Sequence, residues 1–257
     1  MKKLITKKNQ PAAVVERFIH DDFVPRTRKA SQKKSARPQR KSSEANDVER
    51  LRQIYRAAAW LFCEKGYEAT SMSDIAERVG ITKAGVYHFI KGTKQELLFE
   101  IISFGLDRLD VTVVEPARAL TDAEARLRFI ITSHVGLIIS GSTSEGYNPV
   151  TIVVEEVSGL SPKQLQTVNQ RKRGYVELIR DTLKDLQAEG KLKDVNPTVT
   201  AFSILGTILW VARWYRASGS LTAETVAAEI TKIICGGMLV EKKDRTRERG
   251  KERKKKS

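Results

Sequence analysis

Apolar residues recur at helical spacing along most of this chain, and the breaks between the runs are marked by capping residues and glycines. Leu51, Ile54, Tyr55, Ala58, Leu61 and Phe62 form one stripe, which predicts a helix. Asn46 with Glu49 three residues on marks its start as a capping box, and Gly66 marks its end. Ile75, Ala76 and Val79 give a short second helix one apolar face. Gly80 stops that helix, because glycine tolerates the left-handed conformation that ends helices. Ile81 packs in the turn and Thr82 is placed to cap a third helix, Lys83 to Ile90. Thr93 and Glu96 form a second capping box, which starts a fourth helix near Lys94. Leu97, Leu98, Ile101, Ile102, Leu106 and Leu109 carry it to about residue 112, and Pro116 is expected to prevent further extension.

The remainder also reads as helix. A fifth runs from Asp122 to about Ser140 and is apolar nearly all round from Phe129 to Ile139, so it should be central. Ser140–Gly146 is a loop, and a sixth helix follows Pro149 and ends near Gly159. A long, charged seventh starts after Ser161-Pro162 and reaches about Gly190. Asn196-Pro197 opens an eighth, which extends to about Ser218. Thr222 caps a ninth that ends near Leu239, with Leu221 and Val226 placed as a hydrophobic staple. No strand pattern competes and no internal repeat is present. The expected fold is all-α. A three-helix helix-turn-helix domain covers residues 46–93, and a larger helical domain covers residues 94–240.

Charge changes this picture at the ends. The 257 residues carry a net charge of +15. Residues 1–47 hold +8 of it, residues 241–257 hold +6, and residues 48–240 are left at +1. The segments 1–45 and 241–257 are polar, basic and expected to be disordered tails. Tails of this kind attract any polyanion without reading its sequence, and solubilising tails with no partner would look the same.

Other features narrow the class. The two cysteines, Cys63 and Cys235, lie inside apolar helical patterns and form neither a disulfide framework nor a metal spacing, as in a reducing cytosol. The basic N-terminus is followed by only four apolar residues, Ala12–Val15, fewer than a secretion signal needs. The longest apolar stretch, Ala201–Val211, is too short to span a bilayer. The expected location is the bacterial cytoplasm, on the nucleoid. No catalytic constellation, metal spacing or Gly-rich phosphate loop rises above chance, so neither an enzyme nor a cofactor is expected.

The block from Ser71 to Glu96 carries the chemistry. In a helix-turn-helix one short helix braces across the backbone while the next presents small and polar residues to the major groove. Lys83 suits a phosphate or a guanine edge, the Tyr87 hydroxyl suits a phosphate, and His88 suits either. Ala84 and Gly85 allow close approach of the backbone. Ser71 and Ser73, at the start of the second helix, lie where unpaired N–H groups favour an anion. Thr82, Lys91 and Lys94 complete the candidate DNA contacts. The plainer readings are that Tyr87 and His88 pack beneath their helix, and that Ser71 and Ser73 only cap.

Residues 58–98 closely resemble the DNA-binding domain of the tetracycline-repressor (TetR) family. Phe62-Cys63-Glu64-Lys65-Gly66-Tyr67 matches its F-x-x-x-G-[FY] helix end, and Thr70-Ser71 its Thr-Ser pair. Ile75, Ala76 and Gly80, then Ile81-Thr82-Lys83, Tyr87-His88-Phe89, and Lys94, Glu96 and Leu97 follow in the family's order. One departure shows: Gly92-Thr93 stands where one small residue is usual. Arg171-Lys172-Arg173-Gly174-Tyr175, together with Gly206 to Tyr215 and Gly219, looks like the branch that responds to acyl-CoA thioesters. The resemblance implies a two-fold homodimer whose last two helices pair in a four-helix bundle. The branch resemblance points to an acyl-CoA as one class of small-molecule effector. Two reading heads on a dimer predict a roughly palindromic DNA operator, from which a ligand in the larger domain is expected to release the protein, and no membrane partner is expected.

Arg171, Arg173, Tyr175, Trp210 and Trp214 are the candidate effector contacts. Trp210, Trp214 and Tyr215 are also the kind of aromatic stripe that forms a core or a dimer interface, and a charge run such as Arg171–Arg173 is also a solvated helix face. His134, in an apolar helix, reads as a satisfied core histidine, and Glu155-Glu156 as helix surface. The rival to a specific regulator is a sequence-tolerant DNA-architectural protein acting through its basic tails.

Overall fold

The computed structural model describes residues 38–90, 92–141 and 158–240, with side chains described from residue 46 onward. Its helices are α1 (Pro38–Lys65), α2 (Met72–Val79), α3 (Lys83–Phe89), α4 (Lys94–Leu109), α5 (Glu115–Arg118), α6 (Ala123–Ser140), α7 (Pro162–Ala188), α8 (Pro197–Trp214) and α9 (Ala223–Met238). An isolated antiparallel bridge between Leu192 and Leu239 is the one extended pairing among the described residues. The predicted sixth helix and Glu155-Glu156 lie outside the described residues.

Two apolar clusters organise the chain. The first joins Ile54, Ala58 and Phe62 of α1 to Ile75 of α2, Val86 of α3 and Leu97, Leu98 and Ile102 of α4. The second gathers Leu127, Ile130, Ile131 and Ile138 of α6 against Ile179 and Leu183 of α7, Ile204 and Ile208 of α8 and Ile234 of α9. Its centre is α6, as the all-round apolar run predicts. Two helices belong to both clusters. Leu109, at the end of α4, packs against each. Val168 of α7 is buried in the first, while Leu183 and Leu186 of the same helix are buried in the second. The small N-terminal head is thus carried on two rods rooted in the larger domain.

The caps explain why the helices begin where they do. Thr93, Asp122, Ser161, Asn196 and Thr222 each accept a hydrogen bond from a backbone N–H of the first turn. Four expectations are corrected. α1 begins at Pro38 instead of Asn46. Gln39, Arg40, Lys41 and Glu44 cost a helix little, and proline is favoured at the first helical position, so the Asn46–Glu49 pair lies inside the helix. Pro116 does not stop the fourth helix either. Asp110–Val114 widens to a π turn in which the Glu115 N–H donates to the Asp110 carbonyl, and the backbone runs on into α5 through Pro116. α8 stops at Trp214 because Tyr215 turns extended and buries its ring in the second cluster. Leu221, expected to staple against Val226, is exposed.

Candidate nucleic-acid interface

The site is built from α2, the turn after it and α3. Ser71 caps α2: its hydroxyl accepts from the Asp74 N–H at 3.1 Å, and the Ser71 N–H donates to the Asp74 carboxylate at 2.7 Å. The Ser71 hydroxyl's hydrogen bond is the main reason the Asp74 carboxyl is held below its ordinary value. Gly80 ends α2 in the left-handed conformation at φ 72°, and its N–H donates to the Ala76 and Glu77 carbonyls. The Thr82 hydroxyl accepts from the Gly85 N–H at 3.0 Å and starts α3. A side-chain carbon added at Gly85 would lie 3.3 Å from the Thr82 hydroxyl and 3.6 Å from Ile81. Gly85 therefore lets α3 pack tightly on the turn, besides any role at the groove.

These constraints leave α3 one buried face and one free face. Val86 and Ile90 are buried in the head cluster. Lys83, Ala84, Tyr87 and His88 are exposed, Tyr87 by 44%. The reading in which Tyr87 and His88 pack beneath the helix is not what the structure shows. Ser71, Ser73 and Thr82 are also exposed, at the two helix starts. Lys91 lies outside the described residues.

Lys94 is placed differently from the expectation. Its ammonium donates at 2.9 Å to both the Tyr67 and Thr70 carbonyls and lies 4.1 Å from the centre of the Tyr67 ring. That geometry ties the α1–α2 connection to the start of α4 and holds the charge inside the head, where the ammonium shares the Tyr67 carbonyl with the Thr70 N–H and also bonds the Thr70 carbonyl. The departure at Gly92-Thr93 has a local cause. The Glu96 carboxylate folds back to accept from the Thr93 N–H at 2.7 Å, and a side-chain carbon at Gly92 would lie 2.6 Å from it.

Besides the burial of Leu160 and Val168 in the first cluster, two further contacts among the described residues join the head to the larger domain. The first lies at Gly159, which packs against the Tyr67 ring so closely that a side-chain carbon would come within 2.4 Å of it. The Gln95 amide donates to the Gly159 carbonyl at 2.9 Å. The second is Arg171 on α7. Its guanidinium reaches Asp107 at 2.8 Å and Asp110 at 2.5 Å, and it donates to the Ser103 carbonyl at 3.4 Å. It clamps α4 where that helix passes into the π turn. Periodicity could not single out Gln95, Gly159, Asp107 or Asp110, because their partners are more than 60 residues away in sequence.

The predicted effector contacts are not brought together. Arg171 is committed to this clamp. Tyr175 is buried in the second cluster, and its hydroxyl pairs with His134 Nδ1 at 2.9 Å. Burial holds the His134 imidazole down at about 4 and pushes the Tyr175 phenol up. His134 is thus the satisfied core histidine expected of it. Arg173 is exposed on α7. Trp210 and Trp214 are 65% and 44% exposed, while Tyr215 is buried, so the three do not share a side. Among the described residues no group of His, Cys, Asp and Glu could hold a metal ion, and no helix is long and apolar enough to cross a membrane.

Comparison with known proteins agrees with this layout. The family model described as "Bacterial regulatory proteins, tetR family" matches residues 54–101, and "Tetracyclin repressor-like, C-terminal domain" matches residues 120–238. The HTH-type transcriptional repressor KstR2 of Rhodococcus jostii (strain RHA1) is 30% identical over 183 residues, 70% of this chain and 87% of that protein. The chain belongs to the TetR family. A solved TetR-type structure, AibR in complex with isovaleryl coenzyme A and operator DNA, is 32% identical, covers 72% of this chain and 97% of its own, and superposes with a TM-score of 0.61. The KstR2 structure from Mycobacterium tuberculosis shares the fold, with a TM-score of 0.65 at 23% identity over 75% of this chain and 96% of its own.

Proposed function

We propose that this TetR-family protein is a homodimeric transcriptional repressor that a small molecule releases from a palindromic operator. The observation that carries it is the presentation of α3: Lys83, Tyr87 and His88 stand free on a short helix whose opposite face is locked by Val86, Gly80 and Thr82. One such helix reads only a few base pairs. A two-fold dimer supplies two, about 34–36 Å apart or a multiple of it, one or more turns of the duplex. The surface for the dimer is at hand. Val199, Phe202, Trp210 and Trp214 on α8 and Ile233 on α9 are exposed, an apolar area that a single chain leaves in water.

The second domain acts on the head through α4. A ligand that favours one arrangement of the larger domain shifts α4 through the Arg171 clamp and the Gly159 contact, and so changes the separation of the two heads. Only a difference in ligand affinity between the two arrangements can drive this. An acyl-CoA thioester is the effector class supported by the similarity to AibR and by the Arg171–Tyr175 and Gly206–Tyr215 sequence features. The rival reading, a sequence-tolerant architectural protein, gains no support from the relatives, which are transcriptional regulators. For the same reason we read the chain as non-enzymatic, working on the nucleoid in the cytoplasm. The test is to titrate isovaleryl-CoA and a panel of longer and cyclic thioesters into the protein–operator complex. Release by one of them supports the effector class, and unchanged affinity across the panel removes it while leaving the repressor reading to the operator-specificity measurement.

A further inference from the structure

Tyr67 joins the head to the larger domain at a point on which the DNA-reading surface depends. It lies in the connection between α1 and α2 and is buried. Its ring is held from three sides. The Phe62 ring of α1 lies 5.4 Å away between centres, tilted by 46°. The Lys94 ammonium, at the start of α4, sits 4.1 Å from the ring centre. On the third side is Gly159, just before α7, where a side-chain carbon would fall within 2.6 Å of the ring atoms Cε1, Cζ and Cδ1. The ring lies directly on the Gly159 backbone with no gap to absorb movement, so a shift of Gly159 toward the head displaces it.

From the ring the constraint reaches α2 through short bonds. The Tyr67 carbonyl accepts from the Thr70 N–H at 3.2 Å, and the Lys94 ammonium bonds the Tyr67 and Thr70 carbonyls together. The Thr70 hydroxyl donates to the Leu61 and Gly66 carbonyls at 3.1 and 2.8 Å. Residues 67–70 therefore form a stiff turn, and the next residue is Ser71, the cap of α2. The second helix in turn holds α3. The Ile81 N–H donates to the Ala76 carbonyl at 3.0 Å, and Ile75 and Val86 share the head cluster.

On the other side of the ring, the Gln95 amide holds the Gly159 carbonyl, and Leu160 is buried in the head cluster. Ser161 then caps α7, whose far end packs into the second cluster through Leu183 and Leu186. This path is separate from the Arg171 clamp. The clamp grips α4 between Ser103 and Asp110. That is about 14 Å or more along the helix from Lys94.

We infer that Tyr67 is a positioning residue for DNA reading: wedged against Gly159, its ring carries the position of the start of α7 to the cap of α2 and so sets the orientation of α3 within each head. The Arg171 clamp acts on the separation of the two heads, and Tyr67 acts on the fit of each one. This rests on the reading of α3 as the operator-reading helix, and the test separates the two.

The full-length protein is bound to a duplex carrying one half-site and to a random duplex of equal length, with thermal melts alongside. Gly159→Ala pushes a carbon into the ring and should lower the preference for half-site over random duplex about tenfold. Affinity for the random duplex should change less than about twofold, because phosphates carry no sequence and a turned α3 still meets them. Tyr67→Leu makes room for the added carbon. Beside it, Gly159→Ala should cost less than about twofold, since the two residues act through one contact. Tyr67→Phe keeps the ring and should match the unaltered protein. Gln95→Ala adds no atom to the head and carries the test if Gly159→Ala does not fold. By releasing the Gly159 carbonyl it should lower the preference about threefold. An unchanged preference in Gly159→Ala, or in Gln95→Ala where that variant stands in, overturns the inference and leaves the reading of α3 intact. So does an equal fall on both duplexes, or a Gly159→Ala loss that persists in full beside Tyr67→Leu. If the unaltered protein shows no preference for the half-site, the reading of α3 fails and the inference falls with it.

Discussion

The head and the larger domain are both helical and similarly capped, yet they handle their polar side chains in opposite ways. In the head, Lys83, Tyr87 and His88 stand outward within a span of six residues, and short-range bonds from Ser71, Thr82 and Gly80 fix their direction. In the larger domain several polar groups turn inward or across to other elements, although Arg173 stays exposed. Tyr175 faces His134, Thr132 pairs with Thr231 at 2.9 Å, and Arg171 holds α4. A DNA-reading surface is a local construction, because one helix face suffices for it. A ligand chamber or a transmission contact is assembled from several helices, so its residues are scattered along the chain.

The sharpest way to break this contrast is to disable the part of the larger domain that the head depends on. Trp210→Asp combined with Ile233→Asp places charge on the exposed apolar face without entering either cluster. The variant should fold but elute as a monomer in size-exclusion chromatography with light scattering, and its operator affinity should fall more than about a hundredfold, because one head cannot hold two half-sites. A dimer of unchanged operator affinity would show that α8 and α9 are not the pairing surface. Next in size is the head itself. Lys83→Ala should cost about 1–3 kcal/mol per half-site on the operator and far less on random duplex. An equal loss on both would make Lys83 a phosphate contact.

The sequence made the head legible almost residue by residue, including the Thr93–Glu96 box and the turn at Gly80, because each cap lies three residues from the group it satisfies. Lys94 was misread for the opposite reason: the Tyr67 and Thr70 carbonyls that hold it are 27 and 24 residues away. Pro116 was misread because the rule that proline ends a helix assumes α geometry, and a π turn one residue earlier removes the conflict. Trp210 and Tyr215 share a helical stripe in projection, but the helix ends between them, so one faces solvent and the other the core. Arg171 reads in sequence as a candidate effector contact and Asp107 and Asp110 prompt no reading, because only packing α7 beside α4 makes the three one clamp.

The buried pair of the larger domain gives a third, pH-dependent contrast. His134 is neutral in the folded protein, with its pKa depressed from 6.5 to about 4 by burial. For a depressed histidine the unfolded chain takes up the proton first. The contribution to stability is therefore complete above about pH 6.5 and is lost as pH falls toward 4. At about 1.4 kcal/mol per unit the loss approaches about 3 kcal/mol. Thermal melts should show the wild type losing more stability between pH 7 and pH 4.5 than His134→Gln does. Parallel pH profiles would mean that His134 is not the group responsible.

The smallest expected effect bears most directly on how the two regions communicate. The Arg171 clamp is partly exposed, with side-chain exposures of 26% for Arg171, 38% for Asp107 and 41% for Asp110. Solvent screening limits its worth to about 1 kcal/mol, so Arg171→Gln should barely lower the melting temperature. Its position matters more than its strength. It grips α4 at the π turn, where a rod that carries the head is already irregular and least able to resist bending. Loosening that grip lets the paired heads sample more separations, only some of which fit the operator. Operator affinity should fall about fivefold, while binding of an isolated half-site stays unchanged. Asp110→Asn should reproduce the loss, and the double variant should add little to it, since both remove the same contact. Full additivity would place the two residues on independent paths and leave the Gly159–Tyr67 contact as the described route between the domains.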